Sequence, residues 1–398
     1  MMRTKKDPSD IYDPRTLPRR VGEKLVFARS LALNPSTAQR VWEEQSSKVN
    51  IKARRKAPII VIAPREQDVC GDFSKRYFQE AYLKNPLIIT SDIPFPDGEY
   101  KTIVNLNMEK PPKSVYLVGS VLIPDDLVRT CRVADHLKGT LGVESITLIV
   151  PFFSSTRQDK NVNPRTRKYV PETLNVRADL KTLSSFVDRL IVIEPHSFAT
   201  QAFAVQAGIS TLLLSPWKYE LDCVLKECGI SPRDIVIARP DAGRIVVATR
   251  MEQELGVKGI SFEKTRISSG RVVMNDLTTD EAELIKDKIV FCFDDEISSM
   301  GTIFSLAEAC ERYKAQGLII LVVHGKFTLE WKERLAYPII KAVYVTDSRT
   351  PVCKYEDLIA SGKIRVIPLA QFLSDIIKAD IAGVDFYKSK DWEKHILQ

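Results

Sequence analysis

Residues 291–302 read FCFDDEISSMGT. An apolar run meets two adjacent carboxylates, Asp294 and Asp295, and then the small residues Ser298, Ser299, Gly301 and Thr302. Backbone N–H groups of a Ser/Gly-rich turn that opens a helix form an anion cradle. The following TIFSLAEACERY suits such a helix, and the hydroxyls of Ser298, Ser299 and Thr302 add donors. Two carboxylates would repel a phosphate, so they must face another group. A sugar diol, which donates to carboxylate oxygens, is the natural partner. A phosphate cradle beside a diol binder is a ribose-phosphate site. The plainer reading is a strand end with an aspartate helix cap.

The elements that must hold these residues follow a regular rhythm. Short β-branched runs lie at 58–63, 114–123, 145–153, 189–194, 234–238, 288–293, 318–323, 342–346 and 364–369. Each lacks a polar face, which predicts strands covered on both sides. Helical patterns lie between many of them. In 125–142, Leu127, Val128, Cys131, Ala134 and Leu137 recur at helical spacing, and Gly139 or Gly142 can end the helix. Strands alternating with helices give right-handed βαβ units and parallel sheets. Nine strands divide better into two domains than one, with a break at GISTLLLSP, 208–216. Ligands of open α/β sheets sit beyond the carboxyl ends of strands. There the chain carries SSTRQDKN, PHS, RPDAGR, DDEISSMGT, HGKF and DSRT.

The 398 residues are 44% hydrophobic and 27% charged, an ordinary globular balance. No apolar run has the length of a membrane helix, and no apolar core of a signal peptide follows MMRTKKDPSD. Seven cysteines, an odd count, suggest reduced thiols in a cytosol. Cys223 and Cys228 have no second pair or nearby histidine to complete a zinc site. The net charge of +7 is unevenly placed. Residues 1–56 hold 14 Lys and Arg against 6 Asp and Glu, so this basic head accounts for +8 and the rest for −1. The head is either a solvated tail, or a dock for an acidic surface or another subunit. Its NPSTAQRVWEEQ offers a capped helix start. No G-x-x-x-x-G-K-[ST] loop is present, which disfavours a P-loop kinase.

Taken in order, the strand-end motifs resemble those of the ribose-phosphate diphosphokinases (phosphoribosyl pyrophosphate synthetases), which have the type I phosphoribosyltransferase fold. The likeness runs from about residue 57 to about 385. FPDGE (95–99) looks like the segment that reaches ATP adenine across a subunit boundary; Phe95 would stack on the purine and Asp97 or Glu99 would accept from its amino group. TRQDK (156–160) looks like the ATP-binding stretch, with Arg157 on a phosphate or base and Gln158 as a neutral partner. EPHS (194–197) stands where the family has Asp-Leu-His. PDAG (240–243) looks like the pyrophosphate loop, with Asp241, Ala242 and Gly243. EKTRIS (263–268) looks like the mobile catalytic loop, in which Lys264 and Arg266 would neutralise charge on the transferred group. His196 and Asp241 resemble the pair that holds Mg²⁺.

The resemblance implies an α/β chain of two phosphoribosyltransferase-like domains, each a mostly parallel sheet flanked by helices. They would span 57–210, with the ATP motifs, and 211–398, with the pyrophosphate, catalytic and ribose-phosphate loops. Residues 1–56 form a basic extension outside the likeness. The implied activity is ATP-dependent diphosphoryl transfer to the anomeric hydroxyl of ribose 5-phosphate, giving phosphoribosyl pyrophosphate and AMP for nucleotide biosynthesis. It implies Mg²⁺ as cofactor and a cytoplasmic homo-oligomer; neither membrane nor nucleic acid is an expected partner. Several positions depart from the pattern. They are Glu194-Pro195 for Asp-Leu, Arg244 for a second glycine, Met300 for Gly or Cys, and a TRQDK loop without the usual acidic residue beyond it. These leave open a larger acceptor such as ADP-ribose, and a non-catalytic regulatory subunit of the same fold.

Overall fold

The computed structural model describes residues 39, 43, 60–63, 87–104, 112–163, 166–239, 245–262, 264–268, 271–349 and 356–397; for 60–63, 87–89, 264–268 and 271–274 it describes the backbone. Two six-stranded parallel sheets dominate. The first has the order β2 (Leu87–Ile89), β1 (Ile60–Ala63), β5 (Ser114–Val118), β6 (Ser145–Val150), β7 (Arg189–Ile193), β8 (Ser210–Leu214). The second runs β10 (Gly259–Ser261), β9 (Ile235–Arg239), β13 (Ile289–Ile297), β14 (Gly317–Gly325), β15 (Ile340–Thr346), β16 (Ile364–Ile367). Two antiparallel ribbons stand apart, β3 (Ser91–Pro94) with β4 (Tyr100–Ile103) and β11 (Lys264–Ser268) with β12 (Arg271–Met274).

The apolar runs become strands because both faces are covered. β5, β6, β7, β8 and β14 are buried at every position. Each Leu, Ile or Phe so buried contributes ~1.5–3 kcal/mol relative to exposure. The expected break at GISTLLLSP holds a strand of the first sheet. Its Ser210–Leu214 pairs along β7 as β8, so the first sheet extends beyond residue 210. The helical pattern at 125–142 forms a helix over Pro124–Asp135 and then widens into a π turn at His136–Thr140. In the head, Gln39 and Glu43 are helical and joined side chain to side chain at 2.8 Å; the rest of that expectation lies outside the described residues. No helix among the described residues is long and apolar enough to cross a membrane.

One core cluster spans the two sheets. Ile191 and Leu212 of the first join Phe291 and Leu321 of the second through Trp217, Met251 and Phe372 on intervening helices. Polar contacts cross this seam. Arg189 of β7 grips Asp380 of the helix Ala370–Ala382 with two bonds of 2.7 Å, and Tyr116 of β5 donates to the same carboxylate. Ser120 donates to the Ser348 carbonyl at 2.7 Å.

Candidate active site

β13 carries the site further than its apolar run foretells. The strand continues through Ile297, so Asp294 and Asp295 lie within it. Its partner β14 stays in register to Gly325, whereas β9 pairs only as far as Cys292. The acidic end of β13 therefore borders the open ground beyond β9. The sheet reverses its strand order between these two strands, which is where doubly wound sheets place ligands.

His196, in the segment after β7 of the first sheet, meets this strand. Its Nδ1 lies 2.7 Å from Asp295 Oδ2. Asp295 is buried and His196 part-exposed. Asp294 turns one oxygen back to the Asp295 amide at 3.0 Å. Neighbouring Glu296 is held from both halves. Arg157, at the end of the turn Ser154–Arg157 after β6, places Nε 2.6 Å from one carboxylate oxygen. Lys326, just after β14, places Nζ 2.6 Å from the other. Lys326 and Arg349 both lie against the face of buried Phe152, at 5.5 and 4.9 Å from the ring centre. Burial lowers the Lys326 pKa, opposed by Glu296 and reinforced by the cations Arg157 and Arg349.

The turn after β13 leads into the helix Gly301–Arg312 as expected. Met300 precedes it at φ 61°, without a side-chain cap on the helix N–H groups. Those donors remain in the arrangement that favours anions. Met300 is buried, and Gly301 and Thr302 sit at the helix start, part-exposed. The turn is braced from behind. Ser298 shares a 2.6 Å hydroxyl contact with Thr328, and Arg334 donates to the Ser299 carbonyl at 2.6 Å.

Behind the site, His324 of β14 is fully enclosed. Its Nε2 faces the Glu194 carbonyl at 3.0 Å and its Nδ1 faces Ser348 Oγ at 2.8 Å. A carbonyl only accepts, so Nε2 carries the proton. Burial pushes the His324 pKa down to about 4. Glu194 sits at φ 42° and is fully buried. Burial first, and then Glu194 nearby, hold the Glu220 carboxyl well above its ordinary range.

The structure brings His196, Asp295 and Arg157 to one place, with Asp294 and Ser298–Thr302 on the same strand and turn. Gln158 is engaged by the Asn175 amide. Phe95, Asp97 and Glu99 occupy the tip of the β3–β4 hairpin. There Asp97 accepts from the Glu99 amide at 3.0 Å and Gly98 supplies φ 92°. Their hydrogen bonds stay within that hairpin. Lys264 and Arg266 lie on β11, in a ribbon rather than an open loop, with a register shift after Arg266. Asp241, Ala242, Gly243 and Arg244 lie outside the described residues. Sequence reading passed over Glu296 and Lys326. HGKF and DSRT at strand ends flagged the neighbourhood of Lys326 and Arg349, while nothing local marks a glutamate inside a strand as a partner for them.

His196, Asp295 and Glu296 place their ligand atoms within 4.8 Å of one another. Glu296 is committed to two cations, and His196 Nδ1 to Asp295. That leaves His196 Nε2 for a ligand, the arrangement in which a carboxylate fixes the ring of a metal-binding histidine.

No family model matches the chain. Curated relatives do. The ribose-phosphate pyrophosphokinase of Pyrococcus furiosus is 27% identical over 288 residues, covering 72% of this chain and 95% of the relative. That of Thermotoga maritima is 26% identical over 287 residues, covering 71% and 84%. Among solved structures, phosphoribosylpyrophosphate synthetase from Mycobacterium smegmatis superposes with a TM-score of 0.62 at 23% identity, over 82% of this chain and 99% of that one. The chain is thus similar over most of its length to the ribose-phosphate pyrophosphokinases and shares the fold of phosphoribosylpyrophosphate synthetase.

Proposed function

We propose that the protein transfers the diphosphoryl group of ATP to the anomeric hydroxyl of ribose 5-phosphate, releasing AMP. The observation that carries this reading is the meeting of His196, from the first sheet, with Asp295, from the second, at 2.7 Å. Residues of TRQDK and EPHS, after strands of the first sheet, thus meet the acidic end of β13 in the second. The names of the curated relatives support the same activity. The Ser298–Thr302 turn would hold the 5-phosphate, and Asp294 and Asp295 the ribose hydroxyls. Arg157 would take a nucleotide phosphate. Lys264 and Arg266 would neutralise charge that develops during transfer, where positioning matters more than covalent help. Losing one such donor typically costs ~3–4 kcal/mol of transition-state stabilisation. Mg²⁺ would be held by His196 Nε2 and the Asp241 carboxylate, whose oxygens suit it, while a histidine nitrogen is a less typical ligand for it. Bound there, it would supply positive charge to the transferring oxygens. FPDGE, exposed at a hairpin tip, would complete the adenine pocket of a neighbouring copy in a homo-oligomer.

The test is incubation with ATP, Mg²⁺ and ribose 5-phosphate, with AMP and the diphosphorylated sugar quantified. Equal catalysis in the absence of ribose 5-phosphate, or none with it, would reject the reading. ADP-ribose as competitor decides the acceptor. A tenfold preference for it, worth about 1.4 kcal/mol, would replace ribose 5-phosphate by the larger compound.

A further inference from the structure

Glu296 has no part in the reaction as proposed, yet it sits at its centre. Its carboxylate lies within 4.8 Å of the His196 and Asp295 ligand atoms and is shared between Arg157 and Lys326 at 2.6 Å each. The two contacts differ in kind. The oxygen facing Arg157 Nε receives no hydrogen bond. Arg157 is therefore held by charge without directed bonding, and its side chain is 48% exposed. A phosphate offers the paired oxygens that a guanidinium fork binds best. Lys326, by contrast, is largely buried and bonds the other oxygen.

We propose that Glu296 is an internal competitor for the nucleotide phosphates: it occupies Arg157 until a phosphate displaces it, and so sets how tightly the nucleotide binds. The exchange is inexpensive because Lys326 keeps Glu296 compensated when Arg157 departs. A buried carboxylate left without a cation would cost far more. The neighbouring carboxylates do not take over the role. Asp295 is engaged by His196, and Asp294 turns back to the Asp295 amide. This inference rests on Arg157 being a phosphate ligand, as the proposed function has it.

The test is titration calorimetry at low ionic strength with ATP, adenosine and inorganic tripolyphosphate, on the full chain and on Glu296→Gln. ATP and tripolyphosphate are expected to bind about tenfold tighter to the variant, and adenosine equally. The gain should vanish in the double variant Glu296→Gln/Arg157→Gln. Unchanged or weaker tripolyphosphate binding by Glu296→Gln would overturn the proposal, since Glu296 would then only orient Arg157. Should Glu296→Gln fail to fold, Glu296→Asp replaces it. That variant is one methylene shorter and gives a smaller gain of the same sign if the competition is real, and none otherwise. Tripolyphosphate separates the two readings. Tighter tripolyphosphate binding with no ATP binding by either protein keeps the competition and removes the diphosphokinase. ATP binding without the gain does the reverse.

Discussion

Two arginines, one on a strand of the first sheet and one on the turn after its strand β6, each grip a carboxylate far along the chain, and they are built to different ends. Arg189 and Asp380 are 1% and 7% exposed and joined by two directed bonds of 2.7 Å, and Tyr116 donates to the same Asp380 carboxylate. Arg157 and Glu296 come as close, at 2.6 Å, but the arginine is half-exposed and the bond undirected. The same pair of functional groups thus makes a permanent joint in one place and an exchangeable one in another. Burial and angular geometry decide which. A water-exposed guanidinium can trade one anion for another, whereas an enclosed one bonded twice to a buried carboxylate is out of reach of a competing anion.

The largest expected effect lies at the joint. Arg189→Met leaves Asp380 buried without its cation and should cost ~3–5 kcal/mol of unfolding free energy in urea. A loss below 1 kcal/mol would mean that Tyr116 alone satisfies Asp380, and the comparison would break. Acid provides a second probe of the enclosed seam. His324 and His395 are each held near pKa about 4 by burial. Unfolded histidines take protons below about 6.5. Stability is then fully present above that value and falls as the pH drops from about 6.5 toward 4, by up to roughly 3 kcal/mol per histidine. Thermal unfolding against pH should show this slope, and His324→Gln should flatten it. A slope unchanged in His324→Gln would put the loss elsewhere.

A smaller effect is expected where the site is preorganised. Asp295→Asn should weaken Mn²⁺ or Mg²⁺ binding ~10–100-fold, because the histidine loses the carboxylate that orients it. Calorimetry with the metal alone reads this without catalysis, and unaltered affinity would detach Asp295 from that role. The smallest effect belongs to the exchangeable pair. Arg157→Gln should change unfolding free energy by less than about 1 kcal/mol, because the arginine is half-exposed and Lys326 still compensates Glu296. A cost like that of Arg189→Met would show that both joints are structural.

Much of this architecture could be read from the sequence because unbroken β-branched runs have few alternatives to a strand covered on both faces. SITLIV and RLIVI gave strands at 145–150 and 189–193 with little displacement. The break expected within 208–216 holds the strand Ser210–Leu214, since a short apolar run beside Gly and Pro does not reveal which neighbour it pairs with. The extension of β13 over Asp294, Asp295 and Glu296 was hidden for a different reason. Carboxylates are poor strand residues in isolation, and only the matching length of β14 holds them there. His196, Asp295 and Arg157 were legible one at a time from their places at strand ends. That Glu296 joins Arg157 to Lys326 was not, because the three lie on separate elements and no local pattern links them.

The one-sided pairing of β13 has a consequence for timescale. From Phe293 to Ile297 the strand is laddered to β14 alone. Asp294 and Glu296 thus pair with β14 of the second core rather than lying in a loop. Amides in such ladders exchange with solvent through opening of the whole unit, over hours rather than seconds. The backbone amides of this stretch that bond β14 should keep their protons through many rounds of substrate exchange. Any fast motion that admits or releases ligand must come from the elements that face it.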